Sequence, residues 1–288
     1  MKSAVADLIK RRYSCRAYLE RPIEATDQQA LSEFLATLGD GPLGSHTRFA
    51  LVAATETDRD SLKGLGTYGF IKGASGFIVG AVEPGPKDVE DYGYGLEHAV
   101  LAATDLGLGT CWLGGTFTRS SFARKIGATK KEFIPAVVAV GYAAPGSREG
   151  KIRERAGSAR RLPGEQLFWE DSPSRPLDPS GMGEYADVLE AMRWAPSASN
   201  KQPWRLVRSG AAWRFYLQRT KGYGRGSAVF SLLRLADLQR VDMGIAMSHF
   251  ELLARERGLP GRWMVEQAPD GAAAAGLEYT VTWFVEAE

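Results

Sequence analysis

Asp91-Tyr92-Gly93-Tyr94-Gly95-Leu96-Glu97-His98-Ala99-Val100-Leu101-Ala102-Ala103-Thr104-Asp105-Leu106-Gly107-Leu108-Gly109-Thr110-Cys111-Trp112 has an echo 151 positions later. There the chain reads Asp242-Met243-Gly244-Ile245-Ala246-Met247-Ser248-His249-Phe250-Glu251-Leu252-Leu253-Ala254-Arg255-Glu256-Arg257-Gly258-Leu259-Pro260-Gly261-Arg262-Trp263. Eight of the 22 positions are identical without a gap, well above chance. They are Asp91, Gly93, His98, Leu101, Ala103, Gly107, Leu108 and Trp112 with their counterparts. Self-similarity at one fixed offset is the mark of a duplicated unit. The expected organisation is a first half over residues 1–150, a crossing linker over 151–180 and a second half over 181–288. The linker is rich in Pro, Gly, Ser and charge, as a crossing segment should be.

Working outward, each half alternates helix and strand. Thr26 with Gln29 predicts a capping box, and Leu31, Phe34, Leu35 and Leu38 form one apolar helical stripe. Arg48–Ala54 and Gly76–Val82 read as strands, residues 88–106 as a helix and Phe133–Tyr142 as a buried strand. In the second half Tyr185, Val188, Leu189 and Met192 stripe a helix that must stop at Ala195-Pro196. Proline disfavours helix in the residue before it. Trp213, Phe215 and Leu217 alternate as in a half-buried strand, and so do residues 277–285. The expected class is α+β, made twice, with two central sheets and helices packed as in a pseudo-dimer.

Composition narrows the function. The 288 residues carry 36 Lys+Arg against 34 Asp+Glu, a formal charge of +2, which gives no push toward nucleic acid or acidic membranes. Three scattered histidines and two cysteines, Cys15 and Cys111, build neither a zinc site nor a disulfide framework. Charges interrupt the first ten residues, and Phe133–Pro145 is far too short for a span. A cytoplasmic protein is expected, with no nucleic-acid or membrane partner and no metal.

Four stretches could carry chemistry. In Arg12-Tyr13-Ser14-Cys15-Arg16, residues 12, 14 and 16 project to one side of an extended segment. Two guanidinium forks and a hydroxyl there suit an anion, although a solvated basic turn has the same composition. Ala195-Pro196-Ser197-Ala198-Ser199-Asn200-Lys201-Gln202-Pro203-Trp204 has small residues for close approach and two amides able to read an imide-like edge. A rigid turn that satisfies its own backbone would use the same residues. Gly107-Leu108-Gly109-Thr110-Cys111-Trp112-Leu113-Gly114-Gly115 offers unobstructed amides to a flat ligand, and Gly107 also fits a helix C-cap. Residues 151–161 hold five cations against one acid and suit a phosphate clamp or a solvated linker. Two further features are discounted. Gly64-Leu65-Gly66-Thr67-Tyr68-Gly69 matches a dinucleotide fingerprint but follows no strand, and His98 and His249 read as packing or hydrogen-bonding residues within helices.

Together these segments resemble the nitroreductase superfamily of FMN enzymes. Arg12-Tyr13-Ser14-Cys15-Arg16-Ala17-Tyr18 looks like its Arg-x-Ser-x-Arg-x-aromatic opening, and residues 195–204 look like its Ala-Pro-Ser-x-x-Asn-x-Gln-Pro-Trp motif. Residues 107–115 look like the loop that meets the flavin near N5. One departure is informative. Asp40-Gly41-Pro42-Leu43-Gly44-Ser45-His46-Thr47 stands where the first half should have Pro-Ser-x-x-Asn, and acidic Phe168-Trp169-Glu170-Asp171 stands where the second should have the Arg motif. The motifs are complementary, so the chain resembles fused, single-chain nitroreductases with one flavin pocket kept and one lost. An FMN phosphate brings about 1.5–2 negative charges, which Glu170 and Asp171 would repel.

The resemblance implies a set of cofactor contacts. Arg12, Tyr13, Ser14 and Arg16 come from the opening motif, with Arg12 and Ser14 toward the ribityl phosphate and Arg16 near N1 and O2. Leu113, Gly114 and Gly115 come from the glycine loop, an amide of Gly114 or Gly115 facing N5. Pro196, Ser197, Ala198, Asn200 and Gln202 come from the other half, and Arg160 and Arg161, before Leu162-Pro163, lie toward the phosphate. It further implies hydride transfer from NAD(P)H through FMN to a small acceptor such as a nitroaromatic or quinone, with no catalytic side chain beyond the flavin. A flavin-binding protein without turnover, for storage or sensing, is the alternative. The assembly beyond the fused pair stays open, a monomer included.

Overall fold

Two long helices, Asp88–Asp105 and Leu238–Glu256, are buried around most of their circumference, charged and polar residues included. A computed structural model of the chain describes residues 1–53, 71–115, 117–148, 157, 160–223, 236–267 and 276–286. The fingerprint-like Gly64–Gly69 and most of the basic run 151–161 lie outside the described residues. The first part holds α1 (Val5–Arg11), α2 (Ala25–Thr37), β1 (Thr47–Ala53), β2 (Gly76–Val82), α3 (Asp88–Asp105), β3 (Gly109–Leu113), α4 (Arg119–Lys125) and β4 (Val137–Gly141). Then follow β5 (Phe168–Glu170), α5 (Ala186–Arg193), β6 (Trp204–Ser209), β7 (Ala212–Gln218), α6 (Leu238–Glu256), β8 (Gly261–Met264) and β9 (Leu277–Val285).

The strands form two sheets. One is antiparallel throughout in the order β1-β2-β4-β3. The other runs β5-β6-β7-β9-β8, with β5 parallel to β6 and the rest antiparallel. Every residue of β2 and β4 is buried, because both faces of that sheet are covered. The strand expected over Phe133–Tyr142 is shorter, confined to β4. Pro135 has no N–H for a ladder, and Phe133 makes only an isolated bridge to Val82. The capping box at Thr26 and Gln29 does not form. Helix α2 starts at Ala25 without a side-chain cap, and Gln29 bonds Glu33 instead.

The two enclosed helices pack along each other between the sheets. Their crossing is close because glycines face backbone. A Cβ on Gly93 would sit 2.2 Å from the Val241 carbonyl oxygen, and one on Gly244 would sit 1.9 Å from that of Glu90. Further along, His98 Nδ1 lies 3.1 Å from Ser248 Oγ, while His249 Nε2 lies 3.0 Å from Glu97 Oε1. Both histidines are packed inside, as expected. Helix α1 crosses over: Val5, Leu8 and Ile9 join the core of Trp204, Phe215, Phe250 and Trp283 beneath the second sheet.

An ion pair ties the edge of the first sheet to the segment before β4. Arg48 on β1 donates from Nε and Nη2 to the two oxygens of Glu132 (2.6 and 3.0 Å), and the Thr129 N–H adds a third bond. That guanidinium holds the carboxyl at about 2, below its ordinary 4.5. A depressed carboxylate contributes stability that is whole above its unfolded pKa and lost as pH falls through the folded one. Thermal stability should therefore drop between pH about 4.5 and about 2. Glu132→Gln should be less stable than wild type at neutral pH and should fall less over that window; equal slopes in acid melting curves would refute this.

Candidate functional site

The segment after α1 is extended and pairs alongside β3, with Ser14 bridged in parallel to Thr110 and the Cys15 N–H donated to the Thr110 carbonyl (2.8 Å). Side chains alternate on such a segment. Cys15 therefore turns into a core with Tyr18, Phe77 and Cys111, while Ser14 and Arg16 turn the other way into a cleft. Opposite them stands the loop after α5, where Pro196, Ser197, Ala198 and Ser199 line the same cleft. About two turns of α6, with Leu238, Val241, Asp242 and Ile245, make a mostly apolar wall, and Trp112, Gly114 and Ala136 complete it. The empty space of the cleft, its open mouth to solvent included, is about 560 Å³. Segments nearly 200 residues apart in sequence thus meet at one site.

The loop is held under backbone strain. Ser199, Asn200 and Gln202 all have positive φ (51°, 53° and 48°), which side-chain-bearing residues rarely adopt. Side-chain hydrogen bonds sustain it. Ser197 Oγ accepts from the Gln202 N–H (2.9 Å), and Asp242 Oδ1 accepts from the Ala198 N–H (2.9 Å). Asn200 Nδ2 donates to the carbonyls of Gly157 and Arg160, and its Oδ1 accepts from Arg161 (2.9 Å). Gln202 is buried, donates to the Arg160 and Asn200 carbonyls and accepts from the Leu162 N–H.

Of the fourteen residues expected at a cofactor, Ser14, Arg16, Gly114, Pro196, Ser197 and Ala198 line the cleft. The others lie around it. The amides of Asn200 and Gln202 are taken by the chain's own groups, because the positive-φ turns direct them back onto the linker rather than toward a ring edge. Arg161 is held there too, bonding the Ala195 and Trp194 carbonyls, and the Arg160 carbonyl receives both amides. Arg12 is nearly buried behind the cleft, its Nε 3.8 Å from Glu97. Tyr13 turns away to Ser147 Oγ (2.6 Å) under the Arg148 guanidinium. Leu113 packs inward and Gly115 is exposed.

Six lining residues besides Ser199 were not anticipated: Trp112, Ala136, Leu238, Val241, Asp242 and Ile245. Trp112 is steered by Glu97, which accepts from its Nε1 (2.8 Å). The α6 set had a legible signal, a 238-241-242-245 helical stripe interrupted by one acid. Asp242 is 2% exposed, and its Oδ2 is buried without a hydrogen-bond partner. Burial pushes its carboxyl well above the ordinary carboxylate range, against the single Ala198 N–H, and nearby Asp237 adds to the rise. Burial likewise raises the Cys111 thiol to about 11, which leaves it an unreactive core group. Among the described residues no cluster of His, Cys, Asp or Glu could hold a metal ion, and no helix is long and apolar enough to cross a membrane.

Comparison with known proteins agrees with this architecture. A nitroreductase from Thermotoga maritima, described as putative, has a similar fold along the whole chain. It is 18% identical over 99% of this chain and 95% of its own, with a TM-score of 0.60. A nitroreductase with bound FMN from Bacteroides fragilis is 26% identical over 52% of this chain and 94% of its own (TM-score 0.41). A nitroreductase family protein from Clostridium difficile is 20% identical over 55% and 92% (TM-score 0.41). No curated protein matches the sequence. The family described as "Putative TM nitroreductase" matches residues 4–254, which takes in the arginine turn, both central helices and the strained loop. On that match the mixed α+β chain, with its two sheets, belongs to this nitroreductase family.

Proposed function

We propose that the protein is an FMN-dependent oxidoreductase that passes hydride from NAD(P)H to a small acceptor such as a nitroaromatic or quinone. The observation that carries this reading is the composite cleft: Ser14, Arg16 and Gly114 on one wall, Pro196–Ser199 and α6 on the other. Its residues suit a flat, partly polar ring. Leu238, Val241 and Ile245 offer an apolar surface, Arg16 supplies a cation, and Asp242 Oδ2 is a buried polar atom in need of a partner. FMN, when bound, supplies the hydride chemistry. The chain's residues bind and orient it: Arg16 favours negative charge on whatever lies beside it, Gly114 leaves room for α6, and the apolar wall keeps water out. Donor and acceptor would use the same open side in turn.

The reading includes a fused pseudo-dimer, with halves 1–150 and 181–288 joined by 151–180. Reciprocal contacts support it, since each pairs a residue with its partner's counterpart at the 151-residue offset. Gly93 faces Val241 as Gly244 faces Glu90, and His98 meets Ser248 as His249 meets Glu97. The same offset turns Leu238, Val241, Asp242 and Ile245 into Lys87, Glu90, Asp91 and Tyr94. There Glu90 is paired with Arg240, Tyr94 is tied to Glu251 (2.7 Å), and both Asp91 oxygens accept from the loop at Leu43 and Ser45. Charge and an aromatic ring take up the second position, so one flavin per chain is expected.

The test is the absorbance spectrum of the purified protein, supplemented with FMN and desalted, then anaerobic addition of NADH or NADPH. A yellow protein with one FMN per chain that bleaches, and recolours with menadione or nitrofurazone, is the expected result. A protein that stays colourless rejects the proposal; one that stays yellow but never bleaches would be a flavin binder without turnover.

A further inference from the structure

We propose that Asp242 is a neutral carboxylic acid at neutral pH and donates its Oδ2–H to an acceptor atom of the ring bound in the cleft, which makes it a cofactor-positioning residue. The inference rests on the FMN reading above. Its first support is a comparison inside the chain. Asp91, the counterpart of Asp242, spends both oxygens on backbone N–H groups, of Leu43 (2.9 Å) and Ser45 (2.8 Å). Asp242 meets only one, of Ala198, and its Oδ2 stays buried and unpartnered in the cleft wall. A buried polar atom without a partner costs about 1–3 kcal/mol, and a ligand in the cleft that Asp242 lines could supply that partner.

The second support is charge. An ionised carboxylate among Leu238, Val241 and Ile245 would need compensation that one N–H does not give. The groups that face it are few. Asp237, on the turn before, disfavours a negative charge at Asp242; Tyr223, beside Ser199, is a neutral phenol; and the Arg16 cation lines the same cleft. Glu90 of α3, packed on the same stretch of α6, is already neutralised by Arg240. Burial is the largest influence on the carboxyl and raises it, which favours the protonated form. A protonated acid has one donor, and Oδ1 is already an acceptor for Ala198, so the proton belongs on Oδ2. The partner must then be a hydrogen-bond acceptor, such as a ring nitrogen or carbonyl of the flavin, and not its N–H edge.

The experiment compares wild type, Asp242→Asn and Asp242→Ala in two measurements. Asparagine keeps the geometry, accepting from Ala198 and donating from Nδ2, but cannot ionise. FMN titrations from pH about 6 to about 9 should show wild-type affinity falling at the alkaline end while Asp242→Asn stays flat and within about 3-fold of wild type at pH 7. Asp242→Ala should bind about 10-fold or more weakly, the worth of one good hydrogen bond. Infrared spectra should show a protonated-carboxyl band in the free wild type that is absent in Asp242→Asn and shifts when FMN is added. Absence of that band overturns the neutral acid, and a band that FMN does not move overturns the ring contact. An Asp242→Asn affinity more than 10-fold below wild type with no alkaline fall in the wild type also overturns it. Failure of the wild type to bind FMN at all removes the functional reading and the contact together, while the band in the free protein still reports the proton.

Discussion

Gly244→Ala should lower the melting temperature by roughly 6–12 °C, although alanine is the better helix former. The two effects have opposite signs and their sizes decide the outcome. Inside a helix, Gly to Ala gains about 1 kcal/mol of propensity. Against this, the new methyl carbon would lie 1.9 Å from the Glu90 carbonyl oxygen and 2.7 Å from the Tyr94 nitrogen, both backbone atoms of α3. Neither can rotate aside, so the helices must separate along a contact that both cores share. Overpacking of this kind costs about 1–3 kcal/mol and more where the obstacle is rigid, so a net loss near 3 kcal/mol is expected, at about 2–4 °C per kcal/mol for a chain of this size. Gly93→Ala, 2.2 Å from the Val241 carbonyl, should behave alike. Gly85→Ala, with nothing within 4 Å, should be neutral. A Gly244→Ala melting curve that overlays wild type would mean the helices are not held this close. Because α6 also carries Leu238, Val241 and Ile245, the same variant should loosen the cleft.

Those glycines also explain why the architecture was legible. A site where only one residue type fits leaves a mark in the sequence, and Gly93 and Gly244, with His98 and His249, kept the offset of 151 visible. Local patterns served where structure is local: α3, β1 and β2 lie where periodicity put them, and Pro196 follows the end of α5. What escaped depended on partners far away in the chain. Nothing near Asn200 in sequence announces that Gly157 and Arg160 will claim its amide, or that Leu8 will pack beneath the other sheet. Asp242 looked like any acid early in a helix; only the fold, which brings Ala198 to one oxygen and leaves the other bare, makes it unusual. The capping box failed for a smaller reason, since the chain enters α2 two residues earlier than Thr26 requires.

Arg16→Ala should weaken FMN binding by about 10- to 100-fold and leave the fold intact. Arg16 lines the cleft, and its one intramolecular hydrogen bond in the described structure is a long one, 3.3 Å to the Ser14 carbonyl. Little of the protein's own stability rests on it, so the melting temperature without FMN should move by no more than a degree or two. A cation beside an anionic or strongly polar ligand is another matter, because a charge-assisted hydrogen bond contributes about 1.5–3 kcal/mol, which is the stated loss of affinity. Arg16→Lys separates charge from geometry: it keeps the charge but not the planar fork, and should recover part of the binding. Arg12→Ala should show the opposite profile. That side chain is nearly buried against Glu97, which also anchors His249 and Trp112, so its removal should lower the melting temperature in the absence of any ligand. Isothermal titration with FMN, paired with thermal melts of the unliganded variants, reads both quantities. If Arg16→Ala bound FMN as wild type does, the arginine turn would be a structural feature of the fold, and the flavin would have to be held by the opposite wall alone.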